Sequence, residues 1–592
     1  MQRMKLPGIH LKKRDAAAAA LFFLLAFFLF FSARYAEVIH DEHFYYTIAQ
    51  RFFQGDRFLV DEWHVTQFSA VFLLLPYKLF TAVTGGTAGL VLFLRHVFVC
   101  TQLILYWFYY LCLRSRTRFA AVAAALFCSD FFAGIVALNY YNMAPQAIAV
   151  AGMILFLADG KLPALKIVFA GIVFSCAVVN VPTLAVLYFL YSALVLIRAS
   201  GKKRQKDLFS ADSFVVNGRV WGWLSVGILA SAAVFLLLLL SGGVGNIFEN
   251  LPQLLTDSDH SLRWYGNASN PEKLSLLPEN FGLPGAVLPP VLAAVCAIYM
   301  KSKKKKASVR AVLLAAACLV VLYAEIAGFS DKTDSWFRCS SYPAVMFSLT
   351  CCLLCETKDR RMRAFWFAAV LCSLAADYVS DLSLLFFGRI AYLPGVFFLD
   401  VLLKELKEAF GKEKTGSDKK AFRSAAVLRI AGIALLLCGI LTVRSAHIFT
   451  QTDYFLSGKL HGAGVTVSEG PDKGIIKMRS QDRLYTETRI DLDLIRRTCS
   501  GAFYVAGRRP YCYLYLNELP IGAYSTYYLQ SDSTDRLLRY WQLHPEKRPD
   551  CVYIPYGADR QAIPEDLVFL ESLCETRVKM GLQGRIVRLE WE

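Results

Sequence analysis

Two Asp-Glu pairs follow the first long apolar run of the chain. Asp41 and Glu42 come directly after that run, and Asp61 and Glu62 precede His64 in the same polar stretch. A carboxylate can act as a general base on a hydroxyl group, and carboxylate and imidazole groups together can bind a substrate. Asp41 also suits the N-cap of a helix, and Glu42 suits the first turn, where the helix dipole favours acids. The stretch therefore admits a catalytic and a purely structural interpretation.

The residues after the first acidic pair predict a helix that lies on the membrane surface. Between residues 44 and 54, aromatic and aliphatic residues recur at helical spacing, and Thr47, Gln50 and Arg51 fall on the opposite face. The segment "TQFSAVFLLLPYKLF" is short for a span, and it predicts a second interfacial helix.

The composition is that of a membrane protein. Of the 592 residues, 56% are hydrophobic and only 19% are charged, whereas soluble domains carry about a quarter. The apolar runs predict about thirteen transmembrane helices. The net charge of +17 does not indicate nucleic-acid binding, because the basic residues lie between apolar runs. The predicted fold is an all-α polytopic membrane domain, residues 1–443, followed by a small α/β extracytoplasmic domain, residues 444–592.

The distribution of Lys and Arg predicts the orientation in the membrane. The connections between predicted spans fall alternately on opposite sides of the membrane. One set, which includes "RSRTR", "RASGKKRQKD" and "KSKKKKASVR", is far richer in Lys and Arg than the other set. The positive-inside rule then places the N-terminus in the cytoplasm, and residues 37–86 and the C-terminal domain outside a multi-pass cell membrane protein. The first segment also imitates a cleaved signal peptide, an alternative that an intact N-terminal sequence would exclude.

Two ionisable residues fall inside predicted spans at similar depth. Arg95 lies in the second span and Asp130 in the third. An ionisable group in mid-bilayer costs about 2.5–3.5 kcal/mol on insertion scales, so such groups are expected to be paired or functional. We predict a structural ion pair between Arg95 and Asp130, with contact to a lipid phosphate as the alternative for Arg95.

Two arginines lie in later external loops. Arg338 and Arg389 suit phosphate binding, because the planar guanidinium donates two parallel hydrogen bonds. The alternative is an interfacial arginine that keeps its charge in water beside Trp336 or Tyr392.

The C-terminal region has the pattern of a small layered domain. "GAFYVAG", "YCYLYL", "CVYIPYG" and "GRIVRLEW" predict buried strands, whereas "DLDLIRRTC", "STDRLLRYWQL" and "EDLVFLESLCE" predict helices and "EGPDKG" a turn. Cys499, Cys512, Cys551 and Cys574 permit three disulfide connectivities, and the spacing selects none. No Cys and His pattern has zinc-site spacing, so no metal ligands are predicted.

The order of these features resembles that of a known family. One transmembrane helix, an acidic pair at its external end, two interfacial helices and many further spans resemble the GT-C superfamily of membrane glycosyltransferases, especially the protein O-mannosyltransferases and aminoarabinose transferases. The resemblance implies a polyprenyl-phosphate-linked sugar as donor and Asp41 as general base. It further implies that Glu42 orients Asp41 or the acceptor, and that Arg338 or Arg389 holds the leaving phosphate.

The chain also departs from the pattern of that family. It lacks the "WWD" motif of the oligosaccharyltransferases, and "NYYNM" in the second external loop has no acid where several relatives carry one. Asp61 and Glu62, with His64, can take that place in substrate binding. The cofactor stays open, with a divalent cation as one option.

The predicted function is an integral-membrane glycosyltransferase that acts at the external membrane face. The alternative is a non-enzymatic transporter or lipid flippase. Transporters often contain internal repeats and helices broken by Gly or Pro near the midplane, but this sequence has no evident repeat and most of its Gly and Pro lie at loop edges. The expected partners are the lipid-linked sugar, the bilayer and an acceptor of unspecified chemistry, without nucleic acid.

Overall fold

The computed structural model describes most of the chain in twelve stretches. They are residues 8–35, 40–64, 66–131, 135–157, 163–200, 217–255, 342–357, 359–377, 386–412, 464–526, 534–557 and 564–591. Within them the first part of the chain is helical. Its helices are α1 Gly8–Tyr35, α2 His40–Phe53, α3 Val71–Thr84, α4 Leu90–Leu113, α5 Ala120–Cys128, α6 Tyr140–Leu157, α7 Ala164–Asn180, α8 Ala185–Ser200, α9 Gly218–Leu240, α10 Val244–Leu255, α11 Tyr342–Leu354, α12 Arg360–Asp377 and α13 Tyr392–Lys412.

Six helical segments in the described stretches are long and apolar enough to cross a membrane. They are Arg14–Tyr35, Gln67–Thr84, Leu90–Leu113, Tyr140–Leu157, Pro182–Ser200 and Gly218–Leu240. Large apolar side chains on the outer face of α9 are exposed, as a lipid-facing surface requires; they include Leu229, Val234 and Leu237. Three of the predicted spans, near residues 283–300, 307–328 and 424–443, lie outside the described residues. The predicted number of thirteen therefore stays a prediction.

The segment predicted as the second interfacial helix has the length of a span. A short 3₁₀ turn, Gln67–Ala70, runs directly into α3, and together they form 18 residues of sufficient hydropathy. Length and composition alone do not distinguish a spanning helix from an interfacial one, so the interfacial assignment stays a prediction.

The predicted third span, residues 119–138, is helical over only half its length. Helix α5 ends at Cys128, and the flanking residues after it are not helical. Other side chains satisfy the backbone there: Glu42 accepts a hydrogen bond from the Val136 amide at 2.8 Å, and the Asn142 amide group donates to the carbonyl oxygens of Ile135 and Ala137. Non-helical backbone at such a depth requires partners of this kind. Asp130 consequently lies beyond the end of α5.

Two glycines allow α7 and α9 to pack in close contact. A side chain at Gly171 or Gly227 would collide with the backbone of the opposite helix. Small residues at helix crossings are typical of membrane proteins, where packing rather than water exclusion holds helices together.

The C-terminal segment, residues 464–591, forms a small α/β structure. A two-stranded hairpin, β1 Gly464–Thr466 and β2 Ile476–Met478, precedes a four-stranded sheet of β3 Ala502–Val505, β4 Pro549–Pro555, β5 Glu575–Met580 and β6 Gly584–Glu590. The sheet order is β3-β4-β6-β5, with β3 parallel to β4 and the other neighbours antiparallel. The helices are α14 Arg479–Thr498, α15 Tyr511–Tyr515, α16 Thr534–Leu543 and α17 Glu565–Glu571.

Most of the predicted elements of this segment are present, with corrections at "YCYLYL" and at the unpredicted strands β1, β2 and β5. "YCYLYL" forms the one-turn helix α15 instead of a strand, because Pro510 starts a helical turn and the Tyr513 hydroxyl accepts a hydrogen bond from the Val505 amide at 2.8 Å. Strand β5 was not predicted, since its alternating charged residues lie at the exposed edge of the sheet. The turn "EGPDKG" joins β1 to β2 as predicted.

The C-terminal segment packs directly on the start of α4 and on the described part of residues 37–86, which is predicted to be external and is called the first external stretch below. The Trp63 amide donates to the Tyr524 carbonyl at 2.8 Å, and the Gly89 amide donates to the Gly470 carbonyl at 3.0 Å. The Trp63 side chain is fully buried in the core of the C-terminal segment. That core is therefore completed by a residue distant in sequence. The predicted boundary at residue 444 lies outside the described residues.

Candidate active site and the charged interface

Glu42 is the buried partner of Arg95. The Arg95 guanidinium donates to Glu42 Oε2 at 2.6 Å and to the Ala33 carbonyl at 2.9 Å, and both charged side chains are completely buried. The ion pair predicted between Arg95 and Asp130 stays a prediction, and the structure adds Glu42 as an ion-pair partner of Arg95. Glu42 extends back from α2 to α4, a contact that depth in the sequence does not reveal.

The Glu42–Arg95 pair fixes the start of α2 against the first two long helices. Helix α2 begins at His40, so Asp41 lies in its first turn and is not the predicted N-cap. Asp41 keeps a partly exposed surface, whereas every residue from Glu42 to Arg51 is buried. The acidic pair is thus split between a buried ion pair and a carboxylate at the rim, and a role for Glu42 in orienting Asp41 stays a prediction.

Cationic side chains surround the start of α2. The pKa of His40 is lowered to about 4. The main cause is that the surrounding protein limits the hydration of the imidazole, although part of its surface is exposed, and nearby basic groups lower the pKa further. These groups are His43, Arg508, Arg509 and Lys477. Basic side chains therefore lie near His40, the residue next to Asp41, and such side chains suit a phosphate group.

Sequence reasoning missed Arg508 and Arg509. They follow the carboxyl end of β3, the end of a parallel strand at which ligands bind in open α/β sheets. Arg509 is partly buried and donates to the Thr488 hydroxyl at 3.2 Å, whereas Arg508 is exposed. The available signal was a pair of arginines directly after a buried strand.

Asp472 ties the turn between β1 and β2 to α2. Its carboxylate is fully buried and contacts His43 Nε2 at 2.7 Å and Lys477 Nζ at 2.5 Å. Burial acts to raise the pKa of Asp472, but Lys477 and His43 outweigh it and hold that pKa well below its ordinary value. Asp472 is therefore charged at neutral pH and holds the cationic side chains in place.

The two arginines predicted to bind phosphate have different outcomes. Arg389 is 2% exposed and donates to the carbonyl oxygens of Asp130 at 2.7 Å and Tyr141 at 2.5 Å. It supports the non-helical backbone after α5, and it is not the exposed interfacial arginine of the alternative prediction. Arg338 lies outside the described residues.

A second charged cluster lies where the first external stretch meets the C-terminal segment. Arg51 donates to Asp56 at 2.7 Å, to Glu62 at 3.0 Å and to the Tyr540 hydroxyl at 3.2 Å, and Lys547 also pairs with Asp56. All of these groups are largely removed from water. The predicted polar face of α2 is consequently covered by protein instead of being exposed at a membrane surface.

The residues predicted to bind substrate, Asp61, Glu62 and His64, belong to this interface. Glu62 pairs with Arg51, Asp61 accepts hydrogen bonds from the backbone and side chain of Arg57, and His64 Nδ1 contacts the Thr66 hydroxyl at 2.9 Å. All three are at most 6% exposed. They lie within one buried interface between protein segments, and a role in substrate binding stays a prediction.

The four C-terminal cysteines are free thiols in this structure. They are Cys499, Cys512, Cys551 and Cys574. The Cys499 and Cys551 side chains lie within hydrogen-bonding reach of each other at the start of β3 and β4.

The site therefore consists of the partly exposed Asp41 carboxylate, the buried Glu42–Arg95 ion pair beside it and the basic side chains near His40. No protein-family model matches this chain, and no curated protein matches it either.

Proposed function

We propose that this protein is an integral-membrane glycosyltransferase that transfers a sugar from a polyprenyl-phosphate donor to a hydroxyl group at the external membrane face. The observation that carries the proposal is the arrangement at the start of α2. Arg95 holds Glu42 completely buried, and Asp41 lies beside it with an accessible surface and cationic neighbours. A fixed carboxylate next to a phosphate-binding environment is what transfer from a lipid-linked sugar phosphate requires.

In the proposed reaction, Asp41 removes the proton of the acceptor hydroxyl. The acceptor oxygen forms a bond to the anomeric carbon of the sugar as the bond from that carbon to the phosphate oxygen breaks. Polyprenyl phosphate leaves with the electron pair of the broken bond. Negative charge grows on this phosphate, so Arg508 and Arg509 stabilise the transition state more than the ground state. Arg338 is a further candidate ligand for the same phosphate.

Changing Asp41 to Asn tests the proposal. The variant keeps the size of the side chain and removes the proton acceptor, and general-base catalysis contributes roughly 10²–10⁴-fold. We expect the release of polyprenyl phosphate from a panel of polyprenyl-phosphate sugars, measured with purified protein in lipid, to fall by about that factor.

The matched control is Asp482→Asn, which removes a partly exposed first-turn carboxylate from α14. It should release polyprenyl phosphate at the wild-type rate. Equal rates for wild type and Asp41→Asn would refute Asp41 as base. Wild-type protein that moves such lipids across vesicles without breaking the sugar–phosphate bond would favour the transporter.

We also propose that the C-terminal segment and the first external stretch share the external side. Their hydrogen bonds to each other support a common side, and the excess of Lys and Arg in the alternate connections supports the orientation. With single cysteines in an otherwise cysteine-free protein, Glu575→Cys should react with an impermeant reagent on intact cells and Ser200→Cys should not. Labelling of Ser200→Cys alone would reverse the orientation.

A further inference from the structure

Three metal-binding groups converge at the interface of the C-terminal segment. Asp61 comes from the first external stretch, His544 follows α16, and Glu546 lies in the next turn. One ligand atom from each lies within 4.8 Å of the others. His544 Nδ1 is 3.6 Å from Asp61 Oδ1 and 3.6 Å from Glu546 Oε1.

The tautomer of His544 is fixed by groups outside this cluster. The Trp63 indole is only a donor, and it lies 3.0 Å from Asn250 Oδ1, so that atom is the amide oxygen. The Asn250 amide nitrogen donates to the Asn246 carbonyl at 2.9 Å, which agrees with this orientation. His544 Nε2 lies 3.0 Å from the same oxygen and must therefore be the N–H donor. In the neutral imidazole, Nδ1 then presents a lone pair toward the two carboxylates.

Hydrogen bonding within the cluster does not account for this geometry. A protonated Nδ1 would face both carboxylate oxygens at 3.6 Å, which is too long for a hydrogen bond. Asp61 Oδ2 already accepts from the Arg57 backbone and side chain, and no described residue donates a hydrogen bond to Asp61 Oδ1. Three acceptor atoms thus face one another, an arrangement that a bound cation would stabilise.

We propose that Asp61, His544 and Glu546 bind a divalent transition-metal ion, for which Zn²⁺ is the best match. Imidazole and carboxylate ligands suit zinc, and three protein ligands leave the fourth tetrahedral position for water. Ligand atoms about 2.1 Å from a tetrahedral zinc ion lie roughly 3.4 Å apart, close to the two separations at His544. Mg²⁺ is a poorer match, because it prefers oxygen ligands in an octahedron.

The surroundings resemble those of a built metal site. A metal-binding histidine usually donates its other N–H to an acceptor, as His544 does to Asn250, and a ligating carboxylate is itself hydrogen-bonded, as Asp61 is by Arg57. The turn that carries Asp61 contains Leu59 at a φ of 63°, an uncommon conformation for a branched side chain. Such strain persists where the surroundings impose it, frequently at functional positions.

The ion would join distant parts of the chain. It links the first external stretch to the C-terminal segment, and α10 supports the site through Asn250. The role is independent of sugar transfer, since the cluster does not include Asp41 or its cationic neighbours.

The test measures binding of Zn²⁺ alone to the untagged full-length protein. The protein is treated with a chelator, exchanged into metal-free buffer and titrated with Zn²⁺, with Mg²⁺ in a parallel titration. We expect one equivalent of Zn²⁺ per chain with little Mg²⁺ binding, and Co²⁺ in the same site should show the visible absorption of a tetrahedral complex. Glu546→Gln should weaken Zn²⁺ binding at least tenfold, and His544→Gln should abolish it.

Glu546 is 62% exposed, so its substitution does not threaten the fold. Glu575→Gln removes an equally exposed carboxylate from β5 and should bind Zn²⁺ like the wild type. The proposal is overturned if the wild type binds no stoichiometric Zn²⁺. It is equally overturned if Glu546→Gln and Glu575→Gln bind Zn²⁺ with the same affinity.

Discussion

The two Asp-Glu pairs of the first external stretch are identical in sequence and different in structure. In the first pair, Glu42 is buried on Arg95, and Asp41 remains at the rim of α2. In the second pair, both Asp61 and Glu62 are buried beneath the C-terminal segment. The first pair therefore joins a membrane helix to an accessible carboxylate, whereas the second joins two parts of the chain.

The difference shows what decides the role of a charged residue here. A buried carboxylate is stable only with a charged or hydrogen-bonding partner, and each partner is brought by another element. Arg95 comes from α4 and pairs with Glu42, whereas Arg51 comes from α2 itself and pairs with both Asp56 and Glu62. The two interfaces should therefore differ in their sensitivity to loss of one acid.

The largest expected effect on stability comes from Glu42→Gln. It removes the carboxylate that pairs with the buried Arg95 guanidinium, and breaking a buried ion pair costs about 3–5 kcal/mol. We expect a strongly reduced thermal midpoint of the detergent-purified protein.

The double variant Glu42→Gln with Arg95→Met is the control, because it also removes the Arg95 charge whose pair with Glu42 has been broken. Its midpoint should recover toward that of the wild type. A single Glu42→Gln variant as stable as the wild type would show that the pair does not anchor α2.

A smaller effect is expected from Glu62→Gln. Arg51 keeps Asp56 as a charged partner, so the loss should resemble that of a hydrogen bond to a charged group, about 1.5–3 kcal/mol. The same thermal measurement should place this variant between the wild type and Glu42→Gln. The opposite order of the two glutamine variants would contradict the distinction drawn between the two pairs.

The smallest expected effect is the acid sensitivity that Asp472 confers on the folded state. Its pKa is held below the ordinary value, so its charged form stabilises the folded state above the unfolded pKa, about 3.9. This contribution is lost as the pH falls below about 4 toward the folded pKa. The thermal midpoint of the wild type should therefore fall between pH 5 and pH 3 by more than that of Asp472→Asn. Asp482→Asn should follow the wild type, and parallel curves for all three proteins would exclude the predicted role.

Much of the local structure could be predicted because it depends on neighbouring residues. The part of α1 from residue 16 onward follows from an apolar run, and α14, α16 and α17 follow from apolar residues at helical spacing. The predicted turn at "EGPDKG" is likewise local. The failures at α5 and α15 occur where side chains from elsewhere, such as Glu42, or a preceding proline determine the backbone.

The sequence by itself determined the membrane character of the first part, the mixed α/β character of the end and the unusual density of charge between residues 37 and 68. Hydrophobicity and periodicity are properties of the chain, and they do not require knowledge of distant contacts. Only the tertiary structure decided which charges meet. The pairing of Glu42 with Arg95, the cations near His40 and the approach of His544 to Asp61 each depend on helix packing or on the position of the C-terminal segment. Their members lie dozens to hundreds of positions apart, and electrostatic interactions depend on distance in space rather than along the chain.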